Sequence, residues 1–310
     1  MSRVPEPAAS VANGAGPDET PAAMLFRRIV VAYDGSPSAE DALSLALRLR
    51  DPGEGRLVLA GVVPTRPWHL AGHPPPSEST AEAETMLAEA RTGIEAGVPV
   101  AVRAPAASSP ARGLTELAEA ERADLIAIGS AKGAADGRIG LARTAGRLLS
   151  GAPCAVAVAP PGLREAGPFR HVGVAVDGSP EAAAALQAGY AIARANGSAV
   201  TLYTALDERM DPSGEDALHA RLAIQERLDA VANSAPAGLN PRTVLVHGPA
   251  GRKIADACDG VVDLLITGSR SYGPLQRVLT GSVSEELIAR ARHPVLVIPR
   301  QHGAGDGPQG

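Results

Sequence analysis

The chain writes one unit twice, and that duplication limits what it can fold into more than any other feature. Val31-Ala32-Tyr33-Asp34-Gly35-Ser36-Pro37 recurs 143 residues later as Val174-Ala175-Val176-Asp177-Gly178-Ser179-Pro180. Ala123-Asp124-Leu125-Ile126-Ala127-Ile128-Gly129-Ser130 is echoed at a shift of 139 by Val262-Asp263-Leu264-Leu265-Ile266-Thr267-Gly268-Ser269. The units close alike, Ala155 to Pro160 against Pro294 to Pro299. A period of about 140 residues is far too long for a solenoid, so each copy is a whole domain.

Within each unit, short apolar runs alternate with helical periodicity. Strands are expected at 28–32, 56–62, 98–103, 125–128 and 155–158, and again at 171–176, 198–205, 242–247, 264–267 and 295–298. Helices are expected at 180–195, 252–258 and 282–291, with Leu218, Leu222, Ile224, Leu228 and Val231 at helical spacing on another. Uninterrupted apolar strands between helices indicate a parallel sheet covered on both faces. The expected fold class is α/β: two tandem doubly wound domains, each with a five-stranded, mostly parallel sheet and helices on both faces. The divisions are a disordered leader (1–25), domain 1 (26–160), a Pro/Gly-rich linker (161–168), domain 2 (169–300) and a disordered tail (301–310).

Composition narrows the function. Two Phe, one Trp and four Tyr in 310 residues give no stacking platform for single strands. A net charge of −5 gives no footprint for duplex DNA or an anionic membrane. No apolar run has the roughly 18 residues of a spanning helix, so neither nucleic acid nor membrane is an expected partner. Cys154 and Cys258 are widely separated, the seven His are scattered, and no metal-ligand spacing occurs. Two unpaired cysteines without a secretory signal suit the cytoplasm.

Two loops of the second unit follow strands and carry small polar residues. Asp177-Gly178-Ser179 could present a carboxylate to a ribose hydroxyl, or could simply be a turn and helix N-cap. The longer stretch from Gly268 through Arg270 and Ser271 to Gly281-Ser282-Val283-Ser284 leaves a strand and enters a helix. Its free N–H groups and hydroxyls could hold a phosphate, or form a Gly-rich loop with a Ser cap. It is neither a Walker loop nor a dinucleotide loop. His69, Trp68 and His73 read as a surface excursion, and Cys258 as a core residue. Arg252 and Lys253 read as solvated helix charges. Glu181 beside Asp177 lacks a nucleophile to serve.

Together these residues resemble the universal stress proteins in their tandem two-domain form, across nearly all of residues 26–300. The family's nucleotide motif is Gly, two residues, Gly, nine residues, then Gly followed by Ser or Thr. Gly268, the gap and Gly281-Ser282 match it, while Ser271 stands at the second glycine. A positive φ there would be costly for Ser. The resemblance implies ATP binding, with or without Mg²⁺, through domain 2. Ala175, Asp177 and Ala205 would meet the nucleoside; Gly268, Arg270, Ser271, Gly281, Ser282, Val283 and Ser284 would line the phosphate side. In the first copy Lys132 replaces the second glycine and Ala142-Arg143 the Gly-Ser pair. Arg143 there would obstruct a phosphate or supply charge to it. The implied role is a stress-response sensor or regulator rather than an enzyme, with slow ATP hydrolysis at most. An alternative is a module that binds no nucleotide, paired internally through Ala155 to Val158 and Val295 to Ile298, acting on a protein partner or as a homodimer. A ligase or hydrolase would need a thiol, lysine or carboxylate set facing the loop.

Overall fold

The computed structural model describes residues 25–65, 76–131, 137–141, 143–206, 215–269 and 282–299. The expected leader and tail, and the loop of Trp68, His69 and His73, lie outside them. The first half runs β1 (Arg28–Ala32), α1 (Pro37–Leu49), β2 (Arg56–Ala60), β3 (Val63–Pro64), α2 (Pro76–Thr92), β4 (Val100–Arg103), β5 (Ala106–Ala107), α3 (Pro110–Glu121), β6 (Leu125–Gly129), α4 (Arg143–Leu149) and β7 (Ala155–Ala159). The second runs β8 (His171–Ala175), α5 (Pro180–Asn196), β9 (Ala199–Leu206), α6 (Glu215–Asn233), β10 (Arg242–His247), α7 (Ala250–Cys258), β11 (Leu264–Gly268), α8 (Ser282–Arg290) and β12 (Val295–Ile298).

Helix starts follow local chemistry. Ser36 and Ser179 each precede a Pro at the first helical position, which lacks a donor that would be orphaned there anyway. Their hydroxyls accept from the N–H groups of Ala39 and Ala182. Gly178 at φ +80 supplies the left-handed turn between Asp177 and that cap.

One ten-stranded sheet contains both halves, in the order β10-β9-β8-β11-β12-β7-β6-β1-β2-β4. Each half contributes five strands that are parallel to one another. Among the described residues, the sole antiparallel pairing in this sheet joins β12 to β7, with Val295 opposite Val158 and Val297 opposite Val156. The closing strands of the two copies thus pair within one chain and remove two apolar edges. A short parallel pair, β3 with β5, was not legible in the sequence.

Alternation along the strands sorts the core into two layers. Ile29, Val31, Ala155, Ala157 and Leu296 face α1 and α5; Val30, Val156, Val158, Val295 and Val297 face α3, α4, α7 and α8. Both layers run uninterrupted across the β7–β12 seam. Leu218 and Leu222, two of the residues at helical spacing, are exposed. α6 packs instead through its later turns, where Leu228 is buried and Val231 and Ala232 join the core.

The linker was expected to hold neither helix nor ladder. Residues 163–165 form a 3-10 turn there, held by α1. Asp41, buried, accepts from the N–H groups of Gly162 (2.9 Å) and Arg164 (3.0 Å). Arg48 donates to the carbonyls of Leu163, Ala166 and Gly167 and lies 6.0 Å from the centre of the Phe169 ring. No helix among the described residues is long and apolar enough to cross a membrane.

Candidate functional site

In each half the chain winds from the first strand outward and then crosses back to its other side. In the second half this reversal lies between β8 and β11. The crevice beyond the carboxyl ends of two such strands is where doubly wound sheets hold ligands. The fold brings Ala175, at the end of β8, and Asp177, just beyond it, to that crevice beside Gly268, the last residue of β11. Ala205 sits near the end of β9, one strand outward. α8 opens at Ser282, behind Gly281.

Asp177 makes the turn that the plainer reading expects, its Oδ1 accepting from Ser179 N at 3.0 Å while Ser179 caps α5. That bond uses one lone-pair direction of one oxygen and leaves the carboxylate exposed at the crevice. Val176 is pinned below it: its N–H donates to Tyr203 O at 2.8 Å and its carbonyl accepts from the Thr204 hydroxyl. Ser284 is buried, its hydroxyl directed at Gly268 O (3.4 Å), which ties the first turn of α8 to the end of β11. Val283 is half-buried, and its carbonyl lies so near α7 that a Cβ on Gly251 would meet it at 2.7 Å. Ser269 is fully buried, its N–H bonded to Ile298 O and its Oγ without a partner among the described residues. Arg270, Ser271 and Gly281 lie outside the described residues, as does the side chain of Ser282.

The first half carries a cavity of 310 Å³ at the corresponding place, lined among others by Tyr33, Asp34, Ser36, Gly129, Ser130 and Thr144. Arg143 opens α4 and is exposed. The cavity itself also differs from the second half. Tyr33 replaces Val176 and donates its hydroxyl to Glu40, which replaces Ala183. Burial, and then the hydrogen bond to Glu40, raise the Tyr33 pKa, so it stays a neutral donor. Gly129 is needed where it stands, since a Cβ there would meet Ser38 O at 2.0 Å. Laying the two copies side by side exposes the Tyr33 and Glu40 exchanges, but not that they meet.

Other candidates settle into the frame. Burial pushes both Cys154 and Cys258 up to about 12, which leaves each a thiol. Arg252 pairs with Asp256 along α7 at 3.9 Å, both half exposed. No group of three or more His, Cys, Asp or Glu that could hold a metal occurs among the described residues.

Fold and crevice define a duplicated, doubly wound α/β protein with a cavity at the switch point of its first half. The chain belongs to the universal stress protein family, whose sequence model matches residues 25–160 and again 168–299. A universal stress protein of Thermus aquaticus, named for the QAH/OAS sulfhydrylase 3′ region, is 30% identical over 135 residues. That match covers 42% of this chain and 98% of the relative. A universal stress protein structure from Archaeoglobus fulgidus superposes with a TM-score of 0.66 at 20% identity, covering 88% of this chain and 98% of that one. One from Pseudomonas aeruginosa UCBPP-PA14 gives 0.63 at 19%, covering 89% and 94%. Both show the shared fold.

Proposed function

We propose that the second domain binds ATP and that the protein works in the cytoplasm as a nucleotide-dependent sensor or regulator. The observation that carries this reading is where the ends of the loop motif fall. Gly268 closes β11 and Ser282 opens α8, both at the switch point beside Asp177. A strand end, a loop and a helix start give backbone N–H groups and a helix dipole for phosphates. A carboxylate across the crevice suits ribose hydroxyls. Ala175, Ala205, Arg270, Ser271, Gly281, Val283 and Ser284 complete the proposed lining, with Ser271 tolerated in place of glycine. Slow ATP hydrolysis at most is part of this reading.

Calorimetric titration of ATP, with and without Mg²⁺, into the nucleotide-free full chain tests the reading. One site is expected, lost in Ser282→Arg, which copies the first domain's residue. Absence of heat in the parent, or two equal sites, overturns it. The antiparallel β7–β12 pairing favours the second reading, an internally paired module acting on a protein partner without nucleotide. The same titration, returning no binding, would select it.

A further inference from the structure

The first domain's loop after β6 reaches into the second domain. Ile139 donates its N–H to Ala291 O at 2.9 Å, at the residue that follows α8. The last carbonyls of a helix have no partner inside it, and Ile139 supplies one from the other domain. Its side chain is 2% exposed and belongs to the same apolar cluster as Leu287, Ile288 and Ala291. On its inner side the loop is braced against its own sheet. Gly140 N donates to Ser130 Oγ at 2.7 Å, and Gly140 O accepts from Ala131 N at 2.9 Å. Ser130 is itself buried. Residues 137–141 are therefore a strut from the end of β6 to the end of α8.

We infer that this strut positions α8 for the nucleotide site of the second domain, so that the first domain sets the affinity of a site it does not line. The inference rests on the ATP reading above. α8 has nine residues, about 13 Å of helix, too short to bend. Its first turn is fixed by Ser284 on Gly268 O and by the close approach of α7 at Gly251. Its last turn is fixed by Ile139. A phosphate held by first-turn N–H groups needs them within a few tenths of an ångström of hydrogen-bonding distance, and a helix free to slide at one end cannot keep them there. The first copy's missing Gly-Ser pair gains a reason: its loop works as a brace across the domain boundary.

Coupling between two places is reciprocal. ATP must tighten the strut by the factor by which the strut tightens ATP. Amide hydrogen exchange at Ile139 and Gly140 is measured on the full chain, with and without saturating ATP. Calorimetry of ATP is run beside it on the parent, Ile139→Ser and Ser130→Ala. ATP is expected to slow exchange at both amides about fivefold or more, and each variant to keep one site with affinity weakened by a similar factor. ATP binding with unchanged exchange at both amides, or variants binding as tightly as the parent, overturns the inference and leaves the site reading standing. No heat in the parent overturns both. If a variant fails to fold, exchange in the parent decides alone.

Discussion

Replacing Asp41 by alanine tests whether the linker is a structural part of the fold or a tether. Asp41 is 3% exposed and accepts two backbone N–H groups, those of Gly162 and Arg164, 121 and 123 residues away. The second copy has Ala184 at the equivalent position, so the clamp occurs once, where the two copies join. A hydrogen bond to a charged group contributes about 1.5–3 kcal/mol. Gly162 and Arg164 are exposed, so water can reach the freed N–H groups and the low end applies to each bond. The sum is about 3 kcal/mol, which in a chain of this size lowers the melting temperature by about 5 °C. Asp41→Asn keeps one acceptor oxygen and should fall between parent and Asp41→Ala. Urea and thermal unfolding followed by far-UV circular dichroism read both quantities. Because both core layers cross the seam, a single transition is expected in parent and variants. An Asp41→Ala protein within 0.5 kcal/mol of the parent would refute the reasoning, since among the described residues the N–H groups of Gly162 and Arg164 have no other acceptor.

His293, 6% exposed with Nε2 unpartnered, titrates below its ordinary 6.5 because burial opposes its charge. The unfolded chain then binds more protons than the folded one below pH 6.5, so stability falls as pH drops through that value, by at most about 1.4 kcal/mol per pH unit from this residue. His293→Leu should flatten that part of a urea-midpoint profile between pH 7 and 5, and an unchanged slope would refute the assignment. Gly129→Ala drives a Cβ to 2.0 Å from the Ser38 carbonyl, backbone that cannot rotate away. A loss of about 1–3 kcal/mol is expected in urea unfolding, and a neutral result would show that α1 is not held against β6 as described.

Which parts of this protein were legible in one dimension follows from the range of the forces involved. Strands such as Leu264–Gly268 and Val295–Ile298 declare themselves through short apolar runs, and Ser36-Pro37 and Ser179-Pro180 through capping chemistry. All of these act within a few residues of chain. The repeat then placed Asp177 and Gly268 at strand ends, and the winding of parallel sheets brought them to one crevice. The sequence by itself therefore determined the fold class, the duplication and the strand ends that meet at the candidate crevice. Only the tertiary structure decided what meets across long stretches of chain: the register of Val295 on Val158, the grip of Asp41 on the linker, and Ile139 on the end of α8. Each of these depends on surfaces that exist only after distant parts of the chain have packed together, so no local pattern of residues encodes them.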